Sequence, residues 1–378
     1  MTVETVRCRL LLPLAVLLAL AASHAASAAT RPCPTPTATG CGGTRTAGPA
    51  TLACPGGTAT FTRYLLDPAL IRNVTQIGSI GGGGALVGRS YVFPKADLDG
   101  RRLPLRAPAA MTLTGLGYYL PSGAPPGYEP EYSLLFDLGC GLALELYHVK
   151  AVAPALARSA PAAASPSSAY GPVKEGARLR AGAGFAYYVR EEGRSVAFDV
   201  ILHDSRVSNR FPNQARYARS NLLHVVCPWT RYTGALRKTM LALVGTAGGV
   251  LTPDAGCGTI SRAVDGTIAG EWWLTPGAVI PPYRFDGDYG EPMAVIEEAD
   301  GTVRIGHLGG STQDTLVSHG NPTWLSPAMV SGTHCYESDA GGASIAFQVV
   351  SKTSVKVAFR RTPCGAGFPD GDFRPYVR

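Results

Sequence analysis

Histidine and acidic residues in three stretches of the sequence are of the types that bind zinc. His148 ends the apolar segment Leu142–Val149, Asp97 lies in a polar stretch that closes on Asp99-Gly100, and His203 follows a second apolar segment. Zinc is held by histidine and carboxylate side chains in tetrahedral sites. Asp97, His148 and His203 are therefore the candidate catalytic or metal-binding set. The interpretation we favour is plainer: His148 is a hydrogen-bonded histidine at a strand end, and Asp97 belongs to a polar turn.

A second acidic group lies further along the chain, in the segment Asp286-Gly287-Asp288-Tyr289-Gly290-Glu291. Asp286, Asp288 and Glu291 supply the oxygen ligands that calcium prefers. The segment lacks the full spacing of a calcium-binding loop, so a solvated turn is the favoured interpretation. We expect no cofactor.

Aromatic residues in the same half of the chain suggest sugar binding. Trp272 and Trp273 are adjacent, and Tyr283 follows. Neighbouring residues on a strand face opposite ways, so one tryptophan is expected in the core and the other at most in contact with a ligand. This pattern keeps a carbohydrate-binding or adhesion module open as one alternative.

The first 29 residues predict a secretory signal peptide. Arg7 and Arg9 precede the apolar run Leu10–Ala22, and the small residues of Ser23–Ala29 offer cleavage frames. This run is shorter than the about 20 residues that a membrane span needs, and no later segment reaches that length without interruption. We expect an exported protein without a transmembrane segment, in the periplasm, at the cell surface or outside the cell.

The cysteines agree with export. Nine are present, and removing Cys8 with the signal peptide leaves an even eight. An even set in an oxidising compartment predicts four disulfides, and proximity favours Cys335–Cys364 and one pair within the first three cysteines. The eight are Cys33, Cys41, Cys54, Cys140, Cys227, Cys257, Cys335 and Cys364.

Composition and charge limit the class of protein. Gly and Pro number 46 and 30 of 378 residues, which argues against a helical bundle, and 46% hydrophobic residues are enough for a core. The formal charge of +7 is spread thinly, since its densest clusters are Arg101-Arg102 with Arg106, and Arg360-Arg361. Nucleic-acid binders concentrate charge in stripes, so nucleic acid is not an expected partner.

Short apolar segments between Gly and Pro breaks predict a mainly β protein of antiparallel sheets with one clear helix, Gly234–Val244. Gly139-Cys140-Gly141 and Asp300-Gly301 are the expected turns of two hairpins. We divide the chain into a signal peptide (1–29), a Cys/Thr/Pro/Gly-rich lead-in (30–60), a β domain that ends in the helix (61–245) and a small β domain (246–378).

Four sets of residues in the first β domain carry a resemblance to a known family: Pro104–Pro108 with Met111–Gly115, Gly139–Gly141 with Glu145–His148, Val173–Gly182, and Ala197–Val200. In these segments the domain resembles the lysostaphin-type (M23) metallopeptidases, whose β-sheet fold is also called the duplicated hybrid motif. The resemblance implies that sheet fold, and it implies a zinc site at positions that hold Phe93, Asp97, Ser195 and Ala197 here. His148 matches the histidine of the family's strand that ends in tyrosine, a variable residue and histidine, although Tyr147 and His148 are adjacent.

The resemblance therefore implies a kept sheet and a lost metal site, because phenylalanine and alanine cannot ligate zinc. The leading hypothesis is a non-catalytic envelope or extracellular protein that uses the old substrate groove for binding or scaffolding, with cell-wall glycan or peptide as a possible ligand. The alternatives are an active zinc peptidase that uses Asp97, His148 and His203, and the carbohydrate-binding module.

Overall fold

The computed structural model describes residues 59–81, 86–121, 124–191, 196–217, 220–274, 293–306, 316–320, 323–365 and 373–378. The predicted signal peptide and nearly all of the predicted lead-in lie outside these ranges. Tyr283, Asp286, Asp288 and Glu291 also lie outside them, as do Cys33, Cys41 and Cys54.

The described residues form 23 strands and two short α-helices, which confirms the predicted mainly β fold. The strands are β1 (Ile71–Thr75), β2 (Ser79–Ile80), β3 (Leu86–Val87), β4 (Ser90–Pro94), β5 (Arg102–Arg106), β6 (Met111–Tyr119), β7 (Glu131–Gly139), β8 (Leu142–Val149), β9 (Ala151–Val152), β10 (Gly171–Pro172), β11 (Arg178–Leu179), β12 (Gly184–Val189), β13 (Phe198–Asp204), β14 (Val225–Val226), β15 (Val244–Gly245), β16 (Gly270–Trp272), β17 (Met293–Glu297), β18 (Val303–Gly306), β19 (Leu316–Ser318), β20 (Thr333–Glu337), β21 (Ser344–Ser351), β22 (Ser354–Arg360) and β23 (Arg374–Val377). The helices are α1 (Pro154–Ala157) and α2 (Gly234–Ala242); short 3-10 turns cover Pro68–Leu70, Ala96–Leu98, Gln214–Tyr217, Asn221–His224, Pro228–Arg231 and Pro327–Met329.

A ten-stranded sheet dominates the first half of the described chain. Its main path runs β10-β6-β7-β8-β13-β4-β1-β15, with β11 beside β6 and β14 beside β13. Every pairing in it is antiparallel except that of β1 with β15. This order places β7, β8 and β13 side by side, although β13 is far from β8 in the sequence.

Alternation along the strands decides which face is buried. Leu144 and Leu146 on β8 and Phe136 on β7 have no exposed surface and face the main core. A smaller sheet, in the order β5-β12-β9, covers that face. Phe185 on β12 packs edge-on against Phe136 with ring centroids 5.2 Å apart, so the two sheets form two layers around one hydrophobic core.

The predicted hairpins are present. β7 and β8 are joined at Gly139, Cys140 and Gly141, all of which have positive φ. Glycine adopts this conformation without steric cost, which explains the two glycines that flank Cys140. Gly301, with φ +84°, turns the chain between β17 and β18.

The predicted helix is also present, but it is shorter than the sequence suggests. α2 covers Gly234–Ala242, and Leu243 is its C-cap. Val244 leaves the helix because it pairs in parallel with Val74 on β1. Tertiary pairing therefore ends the helix before Gly245.

A second core lies between two four-stranded sheets, β16-β17-β18-β19 and β20-β21-β22-β23. Trp273, directly after β16, exchanges backbone hydrogen bonds with Val377 on β23, at 2.8 and 2.9 Å. This bridge joins the two sheets on one side. The first core includes Ile260 and the second begins at Ile268, so the change between cores lies further along the chain than residue 245.

One disulfide lies in the first core, and another lies in the part of the chain that forms the second core. Cys335 pairs with Cys364, as proximity predicts, and Cys227 pairs with Cys257. Cys140 is also disulfide-bonded. Within the described residues, no helix has the length and apolar character required to cross a membrane.

Candidate functional site

Polar side chains occupy the face of the large sheet opposite the main core. On β8, Glu145 and Tyr147 alternate with the buried leucines, and cross-strand register sets Tyr147 opposite Asp199 on β13. His203 lies four residues beyond Asp199 and so faces the same way. We call this surface, which carries Glu131, Glu145, Tyr147, Asp199 and His203, the polar face.

His148 joins the polar face through a β-bulge. Tyr132 pairs with Val149 and Leu134 with Leu146, so two residues of β8, Tyr147 and His148, stand opposite one residue of β7. His148 has φ +64°. This left-handed conformation is unfavourable for most side chains, although histidine adopts it more often than most. The bulge turns both Tyr147 and His148 toward the polar face and returns Val149 to the core.

Two buried carboxylates hold the His148 ring. Its Nδ1 lies 2.7 Å from Oε2 of Glu131, and its Nε2 lies 3.8 Å from Oδ2 of Asp199. Both carboxylates have no exposed surface, whereas 35% of the His148 side chain is exposed. The Nδ1 contact is a hydrogen bond, and the Nε2 contact is too long to be one.

Further groups neutralise the carboxylates. Glu131 accepts hydrogen bonds from the hydroxyls of Tyr119, at 2.9 Å, and Tyr128, and its Oε1 lies 2.9 Å from Nζ of Lys150. Asp199 pairs with Arg89. Buried charges are stable only when they are paired, so the carboxylates and their partners form one connected network, in which the imidazole of His148 is partly exposed.

The network shifts the pKa of its members in opposite directions. Burial alone would raise the pKa of Glu131, but the hydrogen bonds and charge of His148, with those of Tyr128 and Lys150, hold it at about 2. Burial alone would lower the pKa of His148, but the negative charges of Asp199 and Glu131 outweigh it and raise that pKa. Burial and the nearby charge of Glu131 raise the pKa of Tyr119. Both shifts favour the ion pair between protonated His148 and ionised Glu131.

A second histidine–carboxylate pair on the polar face is closed from solvent. Nε2 of His203 lies 2.8 Å from Oε1 of Glu145, and both side chains are almost fully buried. The hydroxyls of Tyr147 and Tyr170 donate to Glu145 at 3.2 and 3.3 Å. The pair is an internal structural contact.

The cover over Glu145 comes from the segment that holds Tyr170, and two glycines on β6 make room for it. A Cβ on Gly115 would lie 2.7 Å from the Tyr170 ring, and one on Gly117 would lie 2.7 Å from the Ala169 carbonyl oxygen. A real Cβ atom is essentially never found this close to another heavy atom, so only glycine allows the segment to lie this close. The polar face is therefore covered at Glu145 and accessible at His148.

Asp97 does not join the histidines. It is exposed on the 3-10 turn Ala96–Leu98, and His148 and His203 belong to different clusters. Across the described ranges, no group of three or more His, Cys, Asp or Glu side chains is arranged to hold a metal ion. The structure does not assemble Asp97, His148 and His203 into one site.

The tryptophans are also not available for sugar stacking. Trp272 and Trp273 are 0% and 1% exposed, because β16 lies between the two cores and each side of the strand is covered. Trp272 packs in the second core beneath Arg378, and Trp273 packs in the first beside Arg216. Their opposite orientation agrees with strand alternation, but the expectation that one of them contacts a ligand is corrected. Tyr283, Asp286, Asp288 and Glu291 lie outside the described residues.

Glu131, Asp199, Arg89 and Lys150 were missed by the sequence analysis, which singled out only His148 from this network. One signal was available for the acids, since Glu131 and Asp199 each belong to a strand whose other residues are mostly apolar. An acidic residue at a buried position requires a partner, so such residues indicate a polar cluster.

Comparison of the chain with models of known families, with curated proteins and with solved structures gives no match. The function must therefore be argued from the residues of the site itself. Those residues are His148, whose side chain is partly exposed, and the buried network that orients its ring.

Proposed function

We propose that the protein is an exported, non-catalytic binding protein, and that the His148 end of the polar face contacts its ligand. The observation that carries the proposal is the partly exposed ring of His148, held between two buried carboxylates. In its protonated form the ring has no free lone pair, so it neither ligates a metal ion nor accepts a proton. It can donate a hydrogen bond and offer a positive charge.

The Nε2–H group of His148 is available to donate a hydrogen bond to a ligand. Its neighbour, Oδ2 of Asp199, lies 3.8 Å away, beyond hydrogen-bond distance. An oxygen atom of a ligand could accept a hydrogen bond from this N–H group. The Nδ1 hydrogen bond to Glu131 fixes the ring so that little conformational entropy is lost on binding.

The resemblance to lysostaphin-type peptidases supports a substrate groove that remains at the same position of the sheet but no longer binds zinc. Tyr91 pairs with Asp199 across β4 and β13. Alternation then directs Phe93 and Ala197, the residues at the zinc-histidine positions, toward the polar face as well. Neither side chain has an atom that can ligate zinc. Under this proposal, the face that binds ligand corresponds to the substrate face of the active family.

Location outside the cytoplasm is part of the proposal. The pairs Cys227–Cys257 and Cys335–Cys364 are compatible with an oxidising compartment, where disulfides persist. The predicted signal peptide supports the same location. The ligand would then be an extracytoplasmic glycan or peptide.

The test is sedimentation of the full chain with insoluble peptidoglycan, with soluble fragments measured in parallel. We expect binding without fragment release, whether zinc or a chelator is added. In His148→Asn, where asparagine tolerates the left-handed backbone, we expect about tenfold weaker binding, the effect of losing one charged hydrogen bond. His319→Asn is the matched control, because His319 is exposed in the other half of the molecule, and it should bind normally.

Two outcomes would overturn the proposal. Zinc-dependent release of fragments that a chelator abolishes would identify an active peptidase. Equal binding by the wild-type and His148→Asn proteins would remove His148 from the binding surface.

A further inference from the structure

The outer face of the three-stranded sheet β5-β12-β9 carries a row of arginines that the proposed function does not use. β5 alternates strictly: Leu103 and Leu105 are 2% and 0% exposed, and Arg102, Pro104 and Arg106 point outward and are exposed. Arg101, directly before β5, is exposed too. We call this surface, made by Arg101, Arg102, Pro104, Arg106 and Tyr187, the arginine face.

Its centre is apolar and flat. Tyr187 on β12 pairs with Pro104 across the sheet, so the two side chains are neighbours on the outward side. Tyr187 is 41% exposed, and the guanidinium of Arg102 lies 5.7 Å from the centre of its ring. A strand rises about 3.3 Å per residue, so Arg102 and Arg106 stand about 13 Å apart at the two ends of this apolar patch.

The arginines of this face have no ion-pair partner in the described ranges. Asp99, two residues before Arg101, pairs with Arg190 at 2.6 Å, and Glu191, which follows β12, lies 3.6 Å from Lys150. Arg89, Arg190, Arg206, Arg231 and Arg304, by contrast, all pair with carboxylates.

Arg63 extends the positive charge beyond Arg106. Its side chain lies over Gly182, at 3.5 Å from the position that a Cβ would take there. The N–H group of Gly182 donates to the carbonyl of Ala107, the residue after Arg106. Arginines close together on one sheet repel one another, so an anionic ligand that binds between them would relieve this repulsion.

We infer that the arginine face binds a linear anionic polysaccharide. The apolar side of a sugar ring stacks on Tyr187 and Pro104, and sulfate or carboxylate groups on the flanking sugars pair with Arg102 and Arg106. The planar guanidinium suits this role, because it makes two parallel hydrogen bonds to such groups. A polysaccharide also fits the proposed location outside the cytoplasm better than a nucleic acid.

The test measures the affinity of the full chain for heparin, a sulfated polysaccharide, by titration at several salt concentrations. The double variant Arg102→Gln/Arg106→Gln should weaken binding about tenfold and reduce the salt dependence, since two exposed charge contacts are lost. Arg360→Gln/Arg361→Gln removes the same charge from the other basic cluster and should change affinity less than about twofold. Tyr187→Ala should weaken binding severalfold and leave the salt dependence unchanged.

Competitors identify the ligand class. Dextran, which carries no charge, should not displace heparin, and single-stranded DNA should compete only weakly. Equal losses in both arginine pairs would reduce the inference to a general effect of net charge and overturn it. Single-stranded DNA that binds more tightly than heparin through Arg102 and Arg106 would overturn it in favour of nucleic acid. His148→Asn should bind heparin normally, so this result is independent of the proposed function.

Discussion

Two glutamates with no exposed surface, Glu131 and Glu271, have pKa values that are shifted in opposite directions. Glu131 has Tyr119, Tyr128, His148 and Lys150 around it, and its pKa falls to about 2. Glu271, on β16 between the two cores, accepts hydrogen bonds from the Ser261 hydroxyl, at 3.5 Å, and from the backbone N–H groups of Arg262 and of Glu271 itself. Its Oε1 has no hydrogen bond within the described residues, and burial raises its pKa to about 7.

The comparison separates burial from solvation by protein groups. Burial alone destabilises the charged form of any carboxylate. Donors placed around Glu131 reverse that effect, whereas the charge of Arg378 offsets it only partly at Glu271. The polar face is therefore built to keep charges, and the junction between the cores is built to keep its acid neutral below about pH 7.

The largest expected effect comes from removing the Glu131 charge. Glu131→Gln removes the nearest anionic partner of both Lys150 and His148 in a buried position. Breaking a buried ion pair on one side costs about 3–5 kcal/mol, so we expect the free energy of unfolding to fall by that amount in urea titrations at pH 6. A change below about 1 kcal/mol would mean that solvent reaches Glu131 and that the polar face is open there.

Glu271→Gln should raise the free energy of unfolding, and it should do so only above acidic pH. The folded-state pKa lies above the ordinary value of 4.5, so the wild-type protein loses stability at this residue as pH rises from about 4.5 to about 7. Relative to wild type, the variant should be at most about 3 kcal/mol more stable at pH 8 and equal at pH 4. Urea unfolding at both pH values checks the difference. A variant that is less stable at pH 8 would show that ionised Glu271 is well solvated.

His148→Asn should have a smaller effect, because its side chain is partly exposed. The pKa of His148 is raised, so the stability that its charge provides is complete below about pH 6.5 and is lost as pH rises through the folded-state value. We expect the variant to be about 1 kcal/mol less stable than wild type at pH 6, with a smaller difference at pH 9. The imidazole NMR signals should show a midpoint above 6.5. A midpoint below that value would contradict the raised pKa of His148.

The smallest effect is expected at an exposed pair. Asp99→Asn removes the partner of Arg190, but 43% of the Asp99 side chain is exposed. Exposed ion pairs contribute about 0–1 kcal/mol, so unfolding by urea should change by less than that and respond to salt. This variant is also the control for Glu131→Gln, because both remove one carboxylate charge from an ion pair.

Local pattern predicted the elements of this fold, and long-range pairing decided its sites. The strand β8, the turn at Cys140 and the pair Cys335–Cys364 follow from alternation, glycine and proximity. The bulge at His148 depends on register against β7, which no pattern in β8 specifies. Alternation also gave the opposite orientation of Trp272 and Trp273, but it cannot show that both sides of a strand are covered.

The partners of His148 illustrate the same limit at the candidate site. Glu131 comes from β7 and Asp199 from β13, and only the strand order of the large sheet brings them to one ring. The type and position of the histidine were visible in the sequence. The shift of its pKa was not visible there, because that shift depends on the two acids that surround the ring.

The bridge between Trp273 and Val377 has a consequence for the order of folding. These residues are more than a hundred positions apart, and contacts between distant residues form late because a long loop must close first. Trp273 is buried in the first core, so that core can hold the start of the second in place before β23 has been synthesised. During synthesis, the first core would then act as the template on which the final strand docks, and the second core would remain incomplete until it does.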